Sequence, residues 1–215
     1  MKAVRLCVTP AAALWYALLF FYDRSGYMLA LLPAAAVHEL GHLTAIRLFR
    51  GRVSELRLEL GGLCIEYTPP PELFAEVLCI LAGPAAGLLW TALNVNSSRP
   101  LLQLSAELSL LLSCFNLLPA LPLDGGRVLL ALIRSAKALR LVGLIIGAMI
   151  SAAALWFRLY GLLIPGLWLC GFNCPSAAHA ERQAHGAQAG RPVPVIRPAH
   201  VNRRPASCRE KNAAK

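Results

Sequence analysis

Charge is scarce in this sequence. Asp, Glu, Lys and Arg make up 15% of 215 residues, while 57% are hydrophobic. A soluble domain carries about 25% charged residues and about 45–50% apolar ones, so an ordinary water-soluble globule is excluded. So is a disordered chain, which would have too little apolar surface to bury. Regular cysteine spacing is also missing. The seven cysteines are odd in number and scattered through apolar runs, which does not fit a disulfide scaffold. Apolar residues come in long blocks rather than in alternation, which argues against an outer-membrane barrel. No nucleic-acid module is recognisable, although the net charge is +10. Much of that excess sits after Cys174, in Arg182, Arg191, Arg197, Arg203, Arg204, Arg209, Lys211 and Lys215. A basic tail of this kind fits retention on the cytoplasmic side or contact with anionic lipid.

What is present is a series of long apolar runs. A helix needs roughly 20 residues to cross about 30 Å of hydrocarbon. The runs are Leu6–Tyr22, Tyr27–Phe49, Leu73–Val95, Leu101–Ile133 with breaks, Leu141–Phe157 and Leu159–Phe172. The expected fold is therefore an all-α polytopic membrane protein with about six transmembrane helices. The basic residues distribute with the positive-inside rule. Lys2, Arg5, Arg50, Arg52, Arg57, Arg134, Lys137 and Arg140 fall on one side, with Arg24, Arg99 and Arg158 on the other. Both termini are thus expected in the cytoplasm, in a multi-pass protein of the cell membrane. Between the second and third runs, Val53 to Leu60 alternates apolar with polar, Gly61-Gly62 offers a turn, and Leu63 to Tyr67 forms a second short stretch. This reads as a small β-hairpin at the membrane edge. Residues 1–174 form the expected transmembrane domain. Residues 175–215, rich in Ala, Pro, Arg and Gln, form the expected disordered basic tail.

The second run contains His38-Glu39-Leu40-Gly41-His42. On a helix, positions i and i+4 share a face, so both imidazoles can reach one metal ion. Zinc suits two neutral imidazoles, a third protein ligand and an open position for water, and Glu39 can serve as the general base. His38 lies about 16 Å along the helix from Tyr27, near the bilayer centre. Ionisable groups at that depth mark functional sites. For the third ligand the candidate is Asp124, in the stretch Asn116-Leu-Leu-Pro-Ala-Leu-Pro-Leu-Asp-Gly-Gly-Arg127. Its prolines and glycines should break the helix, and broken backbone at membrane depth must line a cavity or be buried in protein. On composition alone Asp124 reads equally well as a helix cap at the surface. The need for a third ligand favours coordination. Within the fourth run, Glu107 is expected to be buried and hydrogen-bonded.

These pieces, with Ala82-Gly83-Pro84 between them, resemble the site-2 protease family of intramembrane zinc metalloproteases, in its compact sporulation-protease-like subgroup. The resemblance implies one zinc ion held by His38, His42 and Asp124, with Glu39 as catalytic base. It implies that Asn116 and Pro122 help hold the substrate, a membrane-spanning or membrane-associated protein. It also implies a helical bundle with a three-helix catalytic core and a small membrane-edge sheet. No PDZ or CBS domain is recognisable, which leaves regulation open to a partner protein. The alternative from another class is a divalent-metal transporter or sensor using the same histidines. The glutamate beside the first histidine has no role in that alternative, and internal repeats that often accompany transport are not visible.

Overall fold

The computed structural model describes residues 5–59 and 61–174. The tail from 175 to 215, together with residues 1–4 and Leu60, lies outside the described residues, and so do the expectations for Lys2 and for a disordered tail. In chain order the elements are β1 (Arg5–Val8), α1 (Pro10–Tyr22), α2 (Tyr27–Leu48), β2 (Arg52–Glu59), β3 (Gly62–Thr68), α3 (Leu73–Asn94), α4 (Pro100–Asn116), α5 (Asp124–Ile133), α6 (Ala136–Trp156), a 3-10 turn (Tyr160–Leu162) and α7 (Leu163–Asn173).

Among the described residues, three helices, α2, α3 and α6, are long and apolar enough to cross a membrane. The first apolar run does not form one span. Leu6 to Val8 enters strand β1, and α1 is 13 residues long, about 20 Å at 1.5 Å per residue. The physical reason lies at Thr9-Pro10. The Thr9 hydroxyl caps the helix by accepting from the Ala12 N–H at 3.4 Å, and proline takes the first helical turn, where its missing N–H costs nothing. The fourth run also divides, into α4 and α5, with residues 117–123 between them. Asp23 opens α2: its carboxylate accepts from the N–H groups of Met28 at 2.6 Å and Ser25 at 3.1 Å. The Met28 N–H is the main reason its carboxyl is held below the usual carboxylate range.

The hairpin is present, and it belongs to a three-stranded sheet in the order β1-β2-β3. Strands β2 and β3 pair antiparallel, from Arg52 opposite Thr68 to Glu59 opposite Gly62. Strand β1 adds parallel to β2 on its other side. Leu6 to Val8 is too short an apolar run for periodicity to distinguish strand from helix, which is why sequence reading absorbed it into a span. On the sheet's surface Arg57 reaches Glu55 at 3.0 Å, Glu66 at 3.3 Å and Glu59 at 3.7 Å. The Arg57 guanidinium holds the Glu55 carboxyl below its ordinary value.

The interior is built from small residues. Ala30, Ala34, Ala106, Ser105, Ser109 and Ser113 are fully buried, while Leu89, Leu111, Ile145 and Met149 face outward. Lipid provides no hydrophobic drive between helices, so close backbone approach and interhelical hydrogen bonds take over. Between α3 and α4, Thr91 Oγ1 donates to the Ala106 carbonyl (2.9 Å), Ser109 Oγ to the Gly87 carbonyl (3.0 Å) and Trp90 Nε1 to Ser105 Oγ (3.1 Å). Glu107 is not buried as expected. It lies exposed on α4, accepting from Gln103 at 3.2 Å. The sheet packs on the ends of α2 and α3 through Val53, Ile65 and Tyr67, against Ala45, Ile46 and Cys79.

Candidate metal centre

His38 and His42 stand one turn apart on α2, and Asp124 is the first residue of α5. All three are buried, at 4%, 6% and 6% exposure. His38 Nε2 lies 3.2 Å from Asp124 Oδ2, His42 Nε2 lies 3.3 Å from the same oxygen, and the two Nε2 atoms are 3.2 Å apart. Ligand atoms placed tetrahedrally at about 2.0–2.1 Å from zinc stand about 3.3 Å from one another. The three observed edges match that spacing, so the donor set fits a zinc ion in both chemistry and size.

The surroundings fix this geometry. His42 Nδ1 donates to the Cys79 carbonyl at 3.0 Å, which leaves Nε2 with its lone pair facing the other two donors. Gly83 lies directly behind: a Cβ there would run into the His42 imidazole. The Ala82-Gly83-Pro84 segment thus lets α3 approach α2 at the height of the site. Gly125 and Gly126 do the same for α5, because a Cβ at either position would strike the backbone of Leu117 or of Ala120. The segment 117–123 can therefore fold back against the first turn of α5 and deliver Asp124.

Glu39 occupies the next position on α2, half-buried, and its ionisable neighbours are His42, His38, Asp124 and Arg127. No hydrogen bond engages its carboxylate among the described residues, so it is free to bind water. Asn116 and Pro122 sit on the segment that leads to Asp124 rather than among the three clustered donors. The Asn116 amide donates to the Leu112 carbonyl of its own helix at 3.0 Å, and Pro122 is half-buried after a cis Leu121–Pro122 bond.

Two parts of the site were not singled out from the sequence. Arg127, one turn after Asp124, places Nη1 3.6 Å from Asp124 Oδ1 and donates from Nη2 to the Tyr67 hydroxyl at 3.4 Å. Its guanidinium also stacks over the Tyr67 ring, 5.8 Å from the centroid. A sheet residue and a candidate metal ligand thus share one arginine. The i, i+3 spacing from Asp124 was the available signal. Arg127→Gln is expected to weaken zinc affinity about tenfold, the lower end of the range for loss of an outer-shell partner, as read by competition with a chromogenic chelator. Tyr67→Phe, which keeps the stack, should change it little. The second part is Asn173 on α7, which is 3% exposed. An amide inside an apolar helix was its signal. Beside His42, Tyr67 and Arg127 lies a cavity of about 10 Å³, room for one water.

Residues 91–157 match Peptidase family M50, a segment that includes Asp124 and begins after the two histidines. A zinc metalloprotease of Methanocaldococcus jannaschii is 32% identical over 114 residues, covering 48% of this chain. The solved structure of a site-2 protease from the same organism superposes with a TM-score of 0.64 at 20% identity, over 80% of this chain and 91% of that one. Over these segments the chain is similar to the M50 site-2 proteases. The site-2 protease fold accounts for the helices and for the small sheet beside them. The chain spans about a third of the length of the curated metalloprotease it matches.

Proposed function

We propose that this chain is an intramembrane zinc metalloendopeptidase that hydrolyses a peptide bond of a membrane-spanning or membrane-associated protein. The observation that carries the reading is the buried triangle of His38, His42 and Asp124, with edges of 3.2–3.3 Å and an uncommitted glutamate beside it. Those three side chains would hold the ion, which when bound would supply a Lewis acid for the scissile carbonyl and lower the pKa of water. Glu39 accepts the proton of the attacking water and returns it to the nitrogen of the leaving amine. The polar groups around the small cavity, His42, Tyr67 and Arg127, let water approach in an otherwise apolar setting. Asn116 and Pro122, on the segment leading to Asp124, border the substrate path. A transporter reading leaves Glu39 without work.

The membrane arrangement follows the same reading. Six crossings arise if α1 and α7 count as short spans and α4, residues 117–123 and α5 traverse together as one broken span, with both termini cytoplasmic in the cell membrane. Residues 1–174 then form the protease domain and 175–215 a basic tail.

A helical substrate hides its carbonyls in its own hydrogen bonds, so the cleaved segment must be extended. β2 is covered on both sides, and the open edge of the hairpin is β3, where an extended peptide can add as a further strand. Proline at successive positions from Leu63 to Glu66 tests this. Backbone N–H groups along an edge strand point alternately toward the partner strand and outward. Cleavage should fall at the outward positions with zinc still bound, and equal cleavage at all four would remove β3 from the mechanism. Substrate identity is approached by expressing Glu39→Gln in cells, crosslinking in the membrane and identifying the captured protein. Capture of a membrane protein that wild-type enzyme then cleaves supports the proposal. A captured set that wild-type enzyme leaves intact overturns it.

A further inference from the structure

Asn173, the last residue of α7, is buried at 3% exposure. Its Nδ2 donates to the Leu169 carbonyl one turn back at 2.9 Å and to the Leu121 carbonyl at 2.7 Å. Both neighbours of that nitrogen are carbonyl oxygens, which fixes the orientation of the amide. The Oδ1 atom has no partner among the described residues, so Asn173 leaves a buried acceptor open in order to present two donors. Leu121 lies three residues before Asp124 and is itself buried. Its carbonyl precedes a proline and lies in the irregular segment, where no helix ladder satisfies it. Without the Asn173 donor, a buried backbone acceptor would be left unpaired in an apolar setting. The rest of α7 supports the same place: Leu169 packs with Ala120 and Leu123, flanked by Trp168 and Phe115. A third element has been cleared for the amide. A Cβ at Gly143 on α6 would lie 2.5 Å from Asn173 Nδ2 and 2.6 Å from its Cγ, and its three nearest atoms all belong to Asn173.

We infer that Asn173 is a positioning residue for the third metal ligand: by holding the Leu121 carbonyl, it fixes the segment that aims the Asp124 carboxylate at His38 and His42. Gly143 is the space that lets it do so. The inference rests on the metal reading of those three side chains, and two measurements on the full chain in detergent micelles keep the two apart. The first is the apparent Zn2+ dissociation constant by chelator competition. The second is amide hydrogen exchange of the metal-free protein.

Asn173→Asp keeps the shape and loses the donor. It should weaken Zn2+ binding about tenfold or more, as loss of an outer-shell partner does. In the metal-free chain it should speed exchange at Ala120 and Leu123, whose N–H groups bond within the segment, while α4 and α6 stay protected. Gly143→Ala should mimic it by displacing the amide, and it carries the same test if Asn173→Asp prevents folding. With Asn173→Ala already in place, adding Gly143→Ala should cost nothing more, because the clash is gone. A glycine serving only helix packing would instead give additive losses, and that result overturns the inference. So does unchanged Zn2+ affinity in Asn173→Asp. If the wild-type chain binds no Zn2+, the metal reading falls and takes this one with it. If wild type binds and the variants bind equally, only the role of Asn173 is lost.

Discussion

Glu39→Gln is expected to lower peptide hydrolysis by about 10²–10⁴-fold, the usual worth of a general acid–base group, while zinc content stays at the wild-type level. Glutamine keeps the size and hydrogen-bonding capacity of the side chain but cannot take up the proton of water. Glu39 is not one of the three clustered donors, so its loss leaves the ligand triangle intact. Single-pass transmembrane peptides in liposomes, with products read by mass spectrometry, give the rate. Elemental analysis of the same sample gives the zinc. Retained hydrolysis would remove the glutamate from the chemistry, and undiminished metal flux in proteoliposomes would turn the reading toward transport.

Asp124→Ala should have a different signature: hydrolysis and zinc are lost together. His38 and His42 alone leave a two-ligand site, and the drop in Zn2+ affinity should exceed the roughly 10–100-fold caused by losing an outer-shell partner. Asp124→Asn keeps the shape, the hydrogen-bonding oxygen and the Leu121 contact upstream, yet lacks the negative charge. It should fold as wild type by circular dichroism and still bind zinc poorly. Zinc binding equal to wild type in both variants would mean that the carboxylate is not a ligand, leaving Asp124 as a helix cap.

The histidine pair was legible in the sequence because helical periodicity is a local rule: residues four apart must share a face. Asp124 was legible only through chemistry, since nothing local says that a residue 86 positions away meets that face. What made it possible is visible afterwards in Gly83, Gly125 and Gly126, where side chains would have kept the elements apart. The hairpin was read from its alternation, and β1 was not, because three apolar strand residues, Leu6 to Val8, look the same as the start of a helix. Arg127 and Asn173 were passed over for a related reason. Each works on a partner far away in the chain, Tyr67 and Leu121, and neither an i, i+3 spacing from Asp124 nor an amide on an apolar helix says what the side chain will touch. The break between α4 and α5 was legible in its prolines and glycines, whereas the shortening of the first run by β1 was not, because hydropathy does not distinguish an apolar strand from the start of a helix.

His38 and Asp124 belong to helices joined through the sheet and two intervening helices. An ion gripped by both ends would act as a clasp across most of the folded core. Loading the metal and docking α5 on α2 then become one linked equilibrium, in which each favours the other. A site built this way would have no rigid empty socket to fall back on: stripping the cation would slacken the scaffold and silence any chemistry there in the same event.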